Sequence, residues 1–144
     1  MVSSTPQHVA GYFIDSDIFI ADERRKFDLD GFLHNSPPAN YFMSAVTAAE
    51  LLLGIELATP EQRAHRQANV DDYIAAFPIF DFDVHCALHW TKIAAPLRAK
   101  GQSIGAHDLL IAATALRYNY GVITFNAREF SRIPGLVVIR PHRD

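Results

Sequence analysis

Three carboxylates in this 144-residue chain stand at positions whose neighbours are apolar, and gathered together they would hold a divalent cation. Asp15 closes the short apolar run Gly11-Tyr12-Phe13-Ile14 and opens Asp15-Ser16-Asp17. Glu50 follows Val46 by four residues and precedes Leu53 and Leu57 by three and seven, so a helix places all four on one face. Asp108 stands in the same relation to Ile111, Ala112 and Ala115. Both faces read as core-facing. An unpaired buried ion costs several kcal/mol or changes its protonation, so each carboxylate needs a partner. Singly, each has a simple structural role: Asp15 as the cap of the next helix, Glu50 paired with a buried arginine, Asp108 complementing its helix dipole for about 0.3–1 kcal/mol. Brought to one sheet edge they oppose one another, because two unit charges about 4 Å apart repel by about 4 kcal/mol at an effective dielectric near 20. A bound cation relieves that repulsion. The donors are all oxygens, with no cysteine or paired histidine beside them, which favours Mg²⁺ or Mn²⁺ over Zn²⁺. One or two such ions polarise a phosphate, acidify a water and stabilise a leaving oxygen, which is the chemistry of phosphodiester hydrolysis.

The elements that must position these groups follow from the local pattern. Short apolar runs at residues 11–14, 41–44, 78–80, 120–124 and 135–139 read as strands. Between them, helical spacing covers Asp17 to Leu33, Thr47 to Leu57, Pro60 to about Phe77, Val84 to Lys100 and Ala106 to Tyr118. Thr59, Pro60 and Gln62 form a capping-box pattern, Pro96 predicts a kink, and Gly101 predicts a helix stop. The segment Ala106 to Tyr118 is apolar nearly all round, as for a helix packed between a sheet and another layer. Alternation of this kind predicts an α/β domain with a mainly parallel sheet. Ligands of such sheets lie beyond the carboxyl ends of the strands, where Asp15, Ser44 and Asn126 are expected to converge.

Composition bounds the class. With 49% hydrophobic and 20% charged residues, the chain has the size of one domain, expected over residues 11–140 after a flexible lead-in at residues 1–10. At this length a fold buries roughly 70% of its unfolded surface and needs no disulfide or structural metal. The single cysteine, Cys86, suits a reducing cytoplasm. No run of 18 apolar residues predicts a membrane span, and the first ten residues lack the basic start and apolar stretch of a signal peptide. A net charge of −3 ordinarily counts against a nucleic-acid partner. That total hides asymmetry: residues 1–91 hold 5 basic and 13 acidic side chains, residues 92–144 hold 8 and 3. An acidic site approached along a basic path would have this signature, as would an ordinary solvated surface.

The run Phe13-Ile14-Asp15-Ser16-Asp17, then Met43 to Leu51, then Ile104-Gly105-Ala106-His107-Asp108 through Leu116, resembles the PIN-domain ribonucleases, specifically the VapC-like toxins of type II toxin–antitoxin pairs. The likeness continues through Thr124-Phe125-Asn126-Ala127-Arg128-Glu129-Phe130 and Ile133 to Leu136, so it spans about Phe13 to Val138. The resemblance implies a three-layer α/β/α sandwich around a parallel sheet and Mg²⁺-dependent endonucleolytic cleavage of RNA. It places Asp15, Glu50 and Asp108 at the catalytic, metal-holding positions, Asn126 or Glu129 at the fourth, and Ser16 and Ser44 within reach of the carboxylates. It also implies a homodimer inhibited by a cognate antitoxin.

Two other readings compete. A non-catalytic RNA- or antitoxin-binding module would follow if the altered fourth position abolishes turnover. A haloacid-dehalogenase-like phosphatase shares Asp-x-Asp after its first strand, but Ile18-Phe19-Ile20 replaces the expected small hydroxyl residue. His85 and His89, four apart with Cys86 between them, read as a structural or surface pair, and His107 as a residue within reach of phosphate. Arg98, Lys100, Arg117, Arg128 and Arg132 are candidates for RNA-backbone contact, whereas Trp90 reads as core.

Overall fold

Runs of β-branched and aromatic residues form five short strands in the computed structural model, which describes residues 9–142. They are β1 (Gly11–Ile14), β2 (Asn40–Ser44), β3 (Ile79–Phe80), β4 (Gly121–Ile123) and β5 (Val138–Ile139). All pair in parallel, in the order β3-β2-β1-β4-β5. Seven helices lie between them: α1 (Ser16–Glu23), α2 (Leu29–Asn35), α3 (Ala45–Glu56), α4 (Pro60–Ala76), α5 (Val84–Ala99), α6 (Ala106–Tyr118) and α7 (Ala127–Phe130).

Alternation along the strands divides the core in two. Phe13, Phe42 and Val122 face one layer with Ile93 and Leu97 of α5, Ile111 to Ala113 and Ala115 of α6, and Phe130 of α7. Ile14, Met43 and Ile123 face the other, with Ile18 and Phe19 of α1, Leu29 of α2, Leu51 and Ile55 of α3 and Val70 of α4. This is the three-layer α/β/α sandwich. Five consecutive buried residues, Ile111 to Ala115, let α6 pack closely between the sheet and α5, and Asn119 ends it at φ 58°. Gly121 is obligatory in β4, since a Cβ there would lie 2.7 Å from the Tyr12 ring and 2.8 Å from the Val137 carbonyl.

The expected single helix from Asp17 to Leu33 is two helices. Arg25 turns the chain at φ 58°, and Asp28 restarts it by accepting a hydrogen bond from the Gly31 N–H at 3.1 Å. The capping box at Thr59 is not made; the Gln62 N–H donates to the Thr59 backbone carbonyl at 3.0 Å. α5 runs through Pro96 to Ala99, and Gly101 stops it at φ +67°. The face that Glu50 shares with Leu53 and Leu57 is not the core face: these leucines are 54% and 75% exposed, while Thr47, Ala48, Leu51 and Ile55 are buried. Of the lead-in expected at residues 1–10, residues 1–8 lie outside the described residues.

Candidate active site at the carboxyl edge of the sheet

The strand order reverses beside β1, whose neighbours β2 and β4 come from opposite directions in the chain, and ligands of such sheets bind beyond the strand ends at that switch point. Asp15 leaves β1 there. The residue is 4% exposed; its Oδ1 accepts from the Ser16 N–H at 2.8 Å and its Oδ2 from the Thr124 hydroxyl at 2.8 Å. Asp15 therefore caps α1 at the switch point of the sheet. Asp17, two residues on, accepts from the Phe125 N–H at 3.1 Å and lies 3.3 Å from the Thr124 Oγ1, fastening the segment that leaves β4.

Glu50 enters from α3. Its Oε2 accepts from the Ser16 hydroxyl at 3.2 Å, while Oε1 is buried without a hydrogen bond and lies 3.6 Å from His107 Nδ1. Asp108, in the first turn of α6, accepts from the Asn126 side-chain amide at 2.8 Å, and the same nitrogen donates to Glu129 at 2.5 Å. Asn126 thus clamps Asp108 and Glu129 together, so both fourth-position candidates belong to one cluster. Ser44 is elsewhere engaged: it caps α3, accepting from the Thr47 N–H at 3.0 Å and donating to the Thr47 hydroxyl at 3.1 Å.

Negative charge is concentrated here, with His107 the neighbouring basic side chain. Burial, then the charges of Asp17 and Asp108, pushes the Asp15 carboxyl up to about 8, against the hydrogen bonds from Thr124 and Ser16. Burial likewise raises Asp108 to about 6, with Glu129 and Glu50 adding to the rise and the Asn126 amide opposing it. No ion pair among the described residues brings a lysine or arginine to these carboxylates. An all-oxygen donor set with an orphaned buried oxygen on Glu50 fits a hard divalent cation in its chemistry. In geometry the set is gathered but not closed: no three His, Cys, Asp or Glu side chains among the described residues could hold an ion as they now lie. All three of Asp15, Glu50 and Asp108 are tied to the chain through Ser16, Thr124 and Asn126, and convergence on an ion requires side-chain adjustment.

Of the basic candidates, Arg128 is exposed beside Glu129 on α7, Arg132 donates to the Ser103 carbonyl at 2.9 Å, Arg98 lies over the Trp90 ring at 5.5 Å, and Lys100 is exposed at the end of α5. Arg117 lies at the far end of α6 from Asp108. It is nine residues beyond Asp108 on α6, roughly 13 Å along the axis, and stacks on the Tyr118 ring at 4.8 Å. His85 and His89 lie on α5, and no metal-holding group forms around them among the described residues. Thr124 is the residue that sequence reasoning missed. Fully buried, it ties Asp15 to the Asn126 N–H, which it accepts at 2.9 Å; its only sequence signal is a hydroxyl at a strand end two residues before Asn126.

A parallel, doubly wound sheet that collects carboxylates at the reversal of its strand order defines an acidic-site α/β domain. The sequence model of the PIN domain matches residues 12–136, and the chain belongs to the PIN-domain family, in its VapC branch. It is 34% identical over 133 residues to "Ribonuclease VapC" of Rickettsia bellii, covering 90% of this chain and 95% of that protein. It is 36% identical over 94 residues to the "tRNA(fMet)-specific endonuclease VapC" of Salmonella typhimurium, covering 65% and 70%. Among solved structures it resembles VapBC2 from Rickettsia felis bound to a promoter DNA fragment, with TM-score 0.80, 26% identity and coverage of 92% and 99%. The haloacid-dehalogenase-like alternative falls with this assignment, and Asp17 is committed to the Phe125 N–H.

Proposed function

We propose that this protein is a Mg²⁺-dependent endoribonuclease, the toxin of a type II toxin–antitoxin pair, with Asp15, Glu50 and Asp108 holding the ion and Asn126 with Glu129 completing the cluster. The observation that carries the reading is the meeting of three carboxylates from β1, α3 and α6, two of them raised in pKa, at the carboxyl edge of a PIN-domain sheet. Mn²⁺ has the same ligand preference and serves as a substitute. When bound, the ion polarises the scissile phosphate and acidifies the attacking water. The side chains supply the rest. Thr124 and the Ser16 N–H aim Asp15, the Ser16 hydroxyl aims Glu50, and the Asn126 amide keeps Asp108 beside Glu129. Burial favours the protonated form of Asp15, and to hold the ion this carboxyl would have to be deprotonated.

Arg128 beside the site and Arg98 and Lys100 on α5 are offered to RNA phosphates. The R. felis and S. typhimurium neighbours are VapBC complexes with DNA, which supports a cognate antitoxin for this chain. Leu53 of α3 and Leu57 at its C-cap, each more than half exposed, give a homodimer apolar surface to bury, testable by sedimentation. No helix among the described residues is long and apolar enough to cross a membrane, and the reading places the protein in the cytoplasm. The deciding experiment is cleavage of end-labelled RNA by the purified chain over a Mg²⁺ titration. New ends should appear with Mg²⁺ and vanish with chelator or with Asp108→Asn. Cleavage that persists in chelator refutes the metal assignment, and RNA binding without new ends at any Mg²⁺ concentration identifies a non-catalytic module.

A further inference from the structure

Beyond β5 the chain continues into Arg140, Pro141 and His142, which line an open cavity of about 960 Å³ whose other wall is the turn from α1 into α2. Four basic side chains, Arg25, Lys26, Arg140 and His142, are exposed around it, and the half-buried rings of Phe27 and Phe32 form part of its lining. Of the acidic groups of the lining, Asp22 is turned to the protein and Asp28 is exposed at the rim, outnumbered by the basic side chains. Asp22 accepts from the Leu29 N–H at 2.9 Å and from the Tyr73 hydroxyl at 2.5 Å, and Asp28 from the Gly31 N–H. The cavity presents cations and aromatic faces together.

Its position ties it to the carboxylates. Ile14, Ile123 and Ile139 are register partners across β1, β4 and β5, so Asp15, Thr124 and Arg140 leave three neighbouring strands at one level. A strand spacing of about 4.8 Å sets the Arg140 backbone roughly 10 Å from that of Asp15. Arg140 Nε donates to the Phe125 carbonyl at 3.1 Å, and the Phe27 ring stands edge-on to the Phe125 ring at 5.3 Å. Residue 125 immediately precedes Asn126, so the segment that clamps Asp108 is braced from the cavity side.

We propose that this cavity is a subsite for single-stranded RNA, seating an unpaired nucleotide that flanks the scissile bond, with its base against Phe27 and Phe32 and its phosphates on Arg25, Lys26 and Arg140. The inference rests on the ribonuclease reading above. Splayed bases on aromatic faces and phosphates on a cationic rim are how proteins hold unpaired RNA, and a stacked duplex offers no free base face to such a cavity. The strand that delivers its phosphate to Asp15 and Asp108 passes within reach of Arg140, which favours the substrate over a separate peptide ligand.

The test is fluorescence anisotropy with the full chain and a labelled, uncleavable 2′-O-methyl single-stranded oligonucleotide over a range of salt. Arg25→Gln with Lys26→Gln alters two exposed side chains and leaves the fold unchanged by circular dichroism. Affinity should fall at least about fivefold, and the slope of log affinity against log salt should shrink by about 1.4, each lost phosphate contact on a single strand contributing about 0.7. A 4-thiouridine in the oligonucleotide should crosslink to the peptide carrying Phe27 and Phe32. Unchanged affinity and slope in the double variant overturn the subsite, as does loss of binding for an acidic peptide while the oligonucleotide is unaffected. Cleavage kinetics separate the two readings. A wild-type chain that cuts no RNA removes the nuclease reading, whereas a double variant that cuts with unchanged KM removes only the subsite; the expected result is a raised KM at unchanged kcat.

Discussion

Asp15→Asn should abolish cleavage and yet stabilise the ion-free protein. In the folded chain the Asp15 carboxyl is pushed from 3.8 up to about 8, chiefly by burial and secondarily by Asp17 and Asp108. A group whose folded pKa is raised gives its full contribution to stability below the unfolded value and loses it as pH rises through the folded one. Each pH unit in that window costs about 1.4 kcal/mol, so at pH 7 the ion-free protein has lost about 4 kcal/mol on this side chain. Asparagine is isosteric and uncharged. Its carbonyl oxygen can still accept the Ser16 N–H, and the Thr124 hydroxyl, 3.3 Å from Asp17 Oδ2, can redirect its proton there and accept the new amide. Relaxation around the site and structure in the unfolded chain trim the expected gain to about 2–4 kcal/mol, or a midpoint roughly 10 °C higher. Urea unfolding in chelator between pH 5 and 9 measures it. Wild-type stability should fall by about 1.4 kcal/mol per pH unit approaching pH 8, once Asp108 has titrated through about 6 to 7, and flatten above 8. The variant should lack that slope, and saturating Mg²⁺ should stabilise the wild type more than the variant. A wild type flat between pH 6 and 8 in chelator, or a variant no more stable than it at pH 8, would refute the argument that burial and like charge govern Asp15.

Three further outcomes follow from the same geometry. Asp108→Asn should remove detectable cleavage on RNA gels while circular dichroism and the melting curve show a folded chain; retained turnover would exclude Asp108 from the machinery. Thr124→Val deletes a fully buried hydroxyl that serves Asp15 and the Asn126 N–H, leaving a buried donor unpaired at a cost of about 1–3 kcal/mol in urea unfolding. Cleavage should fall in parallel, since Asp15 loses its aim. Phe13→Ala opens a cavity among Phe42, Phe80, Tyr118 and Tyr120, whose rings lie 5.3–6.5 Å from that of Phe13, and should cost about 3–5 kcal/mol by denaturant midpoint.

The sequence made the layers and the site's location legible because both depend on local pattern: apolar strands of a few residues, helices between them, and polar residues at strand ends. It failed where geometry is set across the chain. In sequence Glu50 shares a face with Leu53 and Leu57, yet that face is exposed and the buried stripe of α3 runs through Thr47, Leu51 and Ile55. The buried stripe is offset by one helical position from the one Glu50 shares. Apolar spacing shows that a helix has a preferred face, but the choice between two leucine-bearing faces is made by the sheet and by α4. Arg117 and Arg140 show the same limit in charge. As bare positive residues in the basic final third they are equivalent, but α6 carries Arg117 away from Asp108, while the register Ile14–Ile123–Ile139 brings Arg140 level with Asp15. Register between strands more than a hundred residues apart has no local signature, so the cationic wall beside the carboxylates was invisible until the sheet order was known. A net charge of −3 could not separate these cases, because whether RNA meets an acidic or a basic surface depends on which side chains the fold brings to the site rather than on their sum.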